Sequence, residues 1–148
     1  SETFVAQYLM RPEDIDEFHE DIAKLAFATG AEVLVENQKQ ALIKFLGDSK
    51  FKQFLVSFDG NTTGVPASPK NKTAAADATA IYIRDSIEKV VFNELLDDWS
   101  RFNLKNSTKF DAAMASGWAL LGSFSERTML MTNTEEKTQV VYDISNFY

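Results

Sequence analysis

The sequence predicts an α/β fold with a mainly parallel sheet flanked by helices. Short segments rich in β-branched and aromatic residues alternate with longer segments whose apolar residues recur at helical spacing. The strand-like segments are Thr3–Leu9, Glu32–Glu36 and Lys52–Phe58. The order strand, helix, strand, helix, strand, loop and helices is typical of a parallel sheet, because parallel strands need a crossover helix between them.

The first half of the chain contains two predicted helices, each placed by a start or stop signal. Pro12 suits the first turn of a helix, and Gly30 suits the position just after its end. A shorter helix over Lys39–Leu46 is predicted to end at Gly47. Between these helices lies Ala31–Asn37, which we expect to be a buried strand with an acid at its C-terminal edge.

The second half of the chain is predicted to be a loop followed by helices. Asp59–Lys72 contains repeated Gly and Pro, which favour a loop. Thr73 is expected to cap a helix over Thr73–Lys89, and Val91–Phe102 is a second helical segment that could continue the first. Ser107 or Thr108 is predicted to cap a last helix.

Composition and charge indicate one folded domain and exclude several classes of protein. The chain has 148 residues and is 45% hydrophobic, enough for a real core. We interpret residues 1–125 as one domain and residues 126–148 as a C-terminal tail or an added edge element. The net charge of −7 does not favour nucleic acid by bulk electrostatics, so any phosphate contact must be local or through metal ions. There is no cysteine for a thiolate metal site, and no apolar run approaches the roughly 20 residues that span a membrane.

Two acidic residues stand at positions where a metal site could form. Glu36 follows a predicted buried strand, and Asp111 lies in the first turn of a predicted helix, where the helix dipole favours a carboxylate. Hard cations such as Mg²⁺ and Mn²⁺ prefer oxygen ligands. A pair of such ions can activate water and stabilise the leaving oxygen of a phosphodiester.

Several segments together resemble the nuclease domain of phage large terminase subunits. They cover about Thr3–Leu121 in the order found in that family. The segments are VAQYLMRPEDIDEFHEDIAKLA, AEVLVEN, PASPKNKTAAADATAIYI, FNELLDDWSRF and KFDAAMASGWALL.

The resemblance implies a ribonuclease H-like fold and a metal-dependent endonuclease that cuts concatemeric DNA during viral packaging in the cytoplasm of the host cell. It implies that Glu36 and Asp111 are catalytic and bind two Mg²⁺ or Mn²⁺ ions. Lys72 matches a lysine common after the loop in the family, and Lys70 lies beside it; both are candidates for contact with DNA. The implied partners are double-stranded DNA, a packaging ATPase domain upstream in the same protein, and the portal and small terminase subunit.

The sequence departs from the family pattern in two places. Phe110 precedes a single Asp111 where the family often has paired acids. The family's first strand carries a further catalytic Asp and would lie before Ser1. We therefore expect an N-terminally incomplete domain that lacks a third metal ligand and has little or no nuclease activity alone.

Two other interpretations stay open. The same fold could be a non-catalytic binding module that docks a packaging partner, which the acidic surface favours over free DNA binding. It could also be an unrelated α/β domain in which Glu36 merely ends a strand.

His19 is expected on the surface, and Trp99 and Trp118 are expected in the core or an interface.

Overall fold

The structure is a computed structural model that describes residues 3–9, 12–60 and 62–130. Five α-helices follow one another in these ranges: α1 (Ile15–Thr29), α2 (Gln40–Gly47), α3 (Pro69–Ser86), α4 (Asn93–Arg101) and α5 (Asp111–Leu130). Short 3₁₀ helices lie at Lys52–Phe54, Ile87–Lys89 and Leu104–Lys109. None of the described helices combines the length and apolarity needed to cross a membrane.

The prediction of a mainly parallel, ribonuclease H-like α/β sheet is wrong. The structure is 64% helical and 6% strand, and no sheet forms among the residues it describes. Two of the three segments predicted as strands make isolated bridges, such as Val33 with Leu55 and Glu36 with Val65. Each of these two offers only two bridged residues, too few for a ladder, and Lys52–Phe54 forms a 3₁₀ turn instead. Val35 and Phe54 of these segments are nevertheless buried in the core, since a preference for strands largely reflects how side chains pack.

These isolated bridges nevertheless hold three segments side by side, and we call residues 33–37, 54–58 and 63–65 the bridged layer. The Val33 amide donates to the carbonyl of Phe54 at 2.7 Å on one side. On the other side the Val65 amide donates to the carbonyl of Val35, also at 2.7 Å. Gly64 has a φ of +76°, and a Cβ there would lie 2.2 Å from the Val35 carbonyl oxygen. The layer therefore needs glycine at this position.

Helix α5 packs on both α3 and the bridged layer. A Cβ on Gly117 would lie 3.2 Å from the Cβ of Ala75, so the α3 and α5 backbones approach closely at this point. One core cluster joins Ala75 of α3, Trp118 of α5 and Val65 of the bridged layer, with Met114 packed against it. This cluster fixes the face of α5 that is turned toward the bridged layer.

Two further clusters complete the core. Leu46 of α2 is fully buried with Ala23 of α1 and Val35 of the bridged layer. The other cluster joins α3, α4 and α5. The predicted strand Thr3–Leu9 is assigned to no strand, and it places Phe4 edge-on against the Tyr82 ring at 5.2 Å between centroids.

The ends of α1 and the start of α3 can be compared with the start and stop signals predicted from the sequence. Gly30 ends α1 in the left-handed conformation, with φ of 66°, as predicted. Asp14 caps the start of α1 by accepting a hydrogen bond from the backbone amide of its second residue at 2.9 Å. Helix α3 begins before Thr73, because the Ser68 hydroxyl accepts from the Asn71 amide at 3.2 Å. The prediction of Thr73 as the cap is therefore wrong, and the predicted loop ends earlier.

The remaining boundaries concern the second half of the chain. The 3₁₀ turn Ile87–Lys89 separates α3 from α4, so the two segments do not form one helix. Helix α5 continues to Leu130, beyond residue 125. Residues 131–148, which form most of the predicted tail 126–148, lie outside the described residues. The domain boundary at residue 125 stays a prediction.

Candidate carboxylate site

Glu36 lies in the bridged layer and is held from the side of α5. Its backbone pairs with Val65, and the next residue, Asn37, donates its amide to the Val65 carbonyl at 2.9 Å. Its half-buried carboxylate accepts a hydrogen bond at Oε1 from the indole Nε1 of Trp118, at 3.3 Å. The ring of Trp118 is buried in the core. Trp118 therefore provides a rigid donor that fixes one oxygen of Glu36.

Asp111 is the first residue of α5 and is exposed. It lies seven residues before Trp118, which is close to two turns and about 10 Å along the helix axis. Residues at this spacing share a face of the helix, and Met114 lies between them on that face. Because Met114 and Trp118 pack on the bridged layer, Asp111 extends the same face at its solvent end.

The start of α5 is capped by a residue of another helix. The Asp98 carboxylate Oδ2 in α4 accepts hydrogen bonds from the amides of Ala112 at 3.0 Å and Ala113 at 3.2 Å. Neither Ser107 nor Thr108 caps α5, so that prediction is wrong. Sequence reasoning missed Asp98, because a cap donated from another element leaves no local pattern.

The two candidate lysines differ in their surroundings. Lys72 is half-buried, and its Nζ donates to the Ser107 hydroxyl at 3.4 Å. Ser107 is buried, and its carbonyl accepts from the amide of Phe110, just before Asp111. Lys72 therefore reaches the segment that leads into α5. Lys70 is exposed on the first turn of α3.

The donor chemistry of this pair can be compared with what a divalent ion requires. Carboxylate oxygens are hard ligands that suit Mg²⁺ or Mn²⁺, and Mg²⁺ commonly keeps several waters beside one or two carboxylates. The exposed Asp111 leaves room for such waters. Within the described ranges there is no group of three or more His, Cys, Asp or Glu side chains suited to a metal. Glu36 and Asp111 are hard oxygen donors, and neither belongs to a larger group of such side chains within these ranges.

His19 takes no part in this carboxylate pair. The prediction of a surface histidine is wrong, because His19 is 5% exposed and its ring lies 5.4 Å from that of Phe45 in α2. Its Nδ1 lies 3.8 Å from the carboxylate of Asp16. Trp118 is buried, as predicted, and Trp99 is half-buried, with its indole donating to Ser116 at 3.0 Å.

An apolar pocket of about 130 Å³ opens between α3, α4 and α5. Its walls include Ala80 and Ile83 of α3, Phe102 after α4, and Met114 of α5. The pocket lies near the start of α5. Met114 borders both the pocket and the core cluster formed by Val65, Ala75 and Trp118.

Comparison of the chain with protein-family models, curated proteins and solved structures found no match.

Proposed function

We propose that this chain supplies two metal-binding carboxylates, Glu36 and Asp111, to a metal-dependent endonuclease of a viral genome-packaging terminase. The observation that carries the proposal is the hydrogen bond from Trp118 to Glu36. This bond holds Glu36 against the face of α5 that begins with Asp111. The contact supports the choice of site residues, whereas the endonuclease activity and the packaging role are taken from the resemblance of the sequence segments, since the expected sheet is absent from the described residues.

The two carboxylates have different tasks in this proposal. Glu36 has one oxygen held by Trp118, which orients the carboxylate and leaves lone pairs for an ion. Asp111 is exposed at the positive end of α5, where the helix dipole favours its negative charge. Bound Mg²⁺ or Mn²⁺ supplies an activated water and charge stabilisation for phosphodiester hydrolysis. A further ligand would have to come from outside the described residues.

Lys72 gives this site a local positive charge. The net charge of −7 repels DNA overall, so contact with a phosphate must be confined to ions and a few lysines. Lys72 reaches the segment before Asp111, where it could contact a phosphate beside the carboxylates, with Lys70 further out. The proposed partners are double-stranded DNA and an upstream packaging ATPase domain, in the cytoplasm of the host cell.

Metal binding by the chain is the direct test. We would titrate Mn²⁺ into the chain and follow the loss of the free-ion signal by electron paramagnetic resonance. We expect saturable binding that is lost or strongly weakened in Glu36→Gln and Asp111→Asn. The matched controls are Glu94→Gln and Asp97→Asn, which remove equal charge from exposed positions on α4 and should leave the affinity unchanged.

Cleavage is the second test. A longer chain that includes the upstream segment should nick plasmid DNA with Mn²⁺, and Glu36→Ala and Asp111→Ala should abolish nicking. Unchanged nicking in both variants would refute the assignment of these residues. Equal Mn²⁺ binding by all four charge-removal variants would refute the metal site itself.

A second candidate function is a binding module that docks the portal or the small terminase subunit. The apolar pocket between α3, α4 and α5 favours it, because a pocket of this kind can take an apolar side chain of a partner. Ala80→Glu would place a charge in the pocket wall, whereas Ile81→Glu places one on the exposed surface of the same helix. Loss of binding to the purified portal or small subunit in Ala80→Glu alone would support docking, and equal binding by both variants would refute it.

A further inference from the structure

We infer that Asp98 is a positioning residue that sets the place of Asp111 by holding the first turn of α5. The inference rests on the proposed metal site and adds to it a residue that binds no ion. One carboxylate oxygen of Asp98 accepts from both Ala112 and Ala113, at 3.0 and 3.2 Å. These are the two residues that follow Asp111 in the chain. Any shift of that turn would move the Asp111 carboxylate with it.

The start of α5 has no cap of its own that could replace Asp98. The residue before the helix is Phe110, which has no side-chain acceptor. Its own amide is directed back to the carbonyl of Ser107 at 3.1 Å. The first amides of a helix lack partners within the helix and require an outside acceptor. Asp98 meets this requirement for two of them at once.

Asp98 is itself held firmly, because its neighbours in α4 are anchored. Leu95, one turn earlier, is 4% exposed and belongs to a core cluster with Ala112 and Leu120 of α5. Trp99, the next residue, donates its indole N–H to Ser116 of α5 at 3.0 Å. The consecutive residues Asp98 and Trp99 thus bind α5 at its first turn and again one turn later. The first turn of α5 therefore cannot shift relative to α4 without breaking these contacts.

Asp98 matters to the proposed metal site because it helps to set the distance between the carboxylates of Glu36 and Asp111. Glu36 is fixed by Trp118, near the middle of α5, and Asp111 is fixed through Asp98 at its start. Functional side chains generally have to be held within about 0.5 Å of their productive positions. Partners that orient metal ligands typically cost about 10–100-fold in affinity when they are removed. We therefore expect Asp98 to affect metal affinity although it does not touch the ion.

The test separates positioning from ordinary helix capping. Asp98→Ala removes the cap of α5, and Asp14→Ala removes an aspartate cap with the same charge from α1. Both should lower the melting temperature, since losing a cap costs about 1 kcal/mol, and Asp98→Ala should lower it more because it removes two hydrogen bonds and not one. Only Asp98→Ala should weaken Mn²⁺ binding, by about tenfold or more. Asp98→Asn keeps a side-chain oxygen acceptor and should restore most of the affinity.

Each outcome of this test has a definite meaning. Equal Mn²⁺ affinity in Asp98→Ala and Asp14→Ala would overturn the inference and leave Asp98 as a structural cap. Affinity as low in Asp98→Asn as in Asp98→Ala would also overturn it, because charge and not the hydrogen bonds would then matter. A native chain that binds no Mn²⁺ would refute the proposed function, and the inference with it. If Asp98→Ala does not fold, Asp98→Glu takes its place, because it keeps the charge but displaces the acceptor and should bind Mn²⁺ more weakly than Asp98→Asn.

Discussion

The replacement of Gly64 by alanine should disrupt the bridged layer, and Gly60 provides a control with nearly the same backbone. The two glycines have φ of +76° and +77°. A Cβ on Gly60 would have no atom within 4 Å, whereas a Cβ on Gly64 would lie 2.2 Å from the carbonyl oxygen of Val35. The two substitutions therefore share the cost of a left-handed alanine and differ in the collision.

The expected magnitudes follow from these contacts. A left-handed alanine costs about 1–2 kcal/mol, and the stiffer unfolded chain returns about 0.4–1 kcal/mol. Gly60→Ala should therefore cost about 1 kcal/mol. Gly64→Ala must also displace Val35 and weaken two backbone hydrogen bonds, from Val65 to Val35 at 2.7 Å and from Gly64 to Val56 at 3.1 Å. At about 0.5–1.5 kcal/mol for each bond, the total is about 2–4 kcal/mol before any loss of packing around the fully buried Val65.

Urea unfolding, followed by far-ultraviolet circular dichroism, would measure both free energies of unfolding. We expect Gly64→Ala to be at least about 1 kcal/mol less stable than Gly60→Ala, because of the hydrogen bonds alone. Gly64→Ala should also weaken Mn²⁺ binding, since the displaced Val35 precedes Glu36. A difference in stability below about 0.5 kcal/mol, which is the usual effect of a neutral surface change, would refute the close approach of Gly64 to Val35.

Three further predictions concern packing and the hydrogen bond from the Trp118 indole to Glu36. Gly117→Ala should lower the free energy of unfolding by about 1–2 kcal/mol because it crowds α3, whereas Gly47→Ala has open space around it and should raise that free energy by up to about 1 kcal/mol. Chemical unfolding that ranks the two variants in the reverse order would contradict the helix packing. Leu46→Ala should lower the stability by about 2–5 kcal/mol because the side chain is fully buried, and thermal unfolding within a degree of the native midpoint would exclude that burial. Trp118→Phe keeps an aromatic ring but removes the donor to Glu36, so Mn²⁺ affinity should fall about tenfold; an unchanged affinity would show that the bond does not orient the carboxylate.

Local signals in the sequence predicted the ends of α1 and α2 but not the starts of α1, α3 and α5, since Pro12 lies before the Asp14 cap of α1. Gly30 ends α1 and Gly47 is the last residue of α2, because apolar spacing and glycine stop signals act within a few residues of each other. The Thr73 cap failed for a related reason. Ser68 and Pro69 offer a stronger start signal four to five residues earlier, within a stretch whose Gly and Pro content favoured a loop.

The sequence could not predict that the described residues form no sheet, because strand formation depends on partners distant in the chain. The segment that contains Val33 and Val35 has the composition of a buried strand. It is paired with one segment at Val33 and with another at Val35, yet each pairing extends over too few residues to form a ladder. The same limit applies to the candidate site. The sequence pointed to Glu36 and Asp111 but gave no sign of Asp98, whose role depends on how α4 packs on α5.

The bond between Trp118 and Glu36 joins residues 82 positions apart in the chain. Helices form within about a microsecond, whereas a contact across so long a loop must wait for the chain to collapse. The carboxylate pair should therefore be assembled late in folding, after α3, α4 and α5 have formed. Substitutions that weaken this bond should then accelerate unfolding and leave the folding rate nearly unchanged.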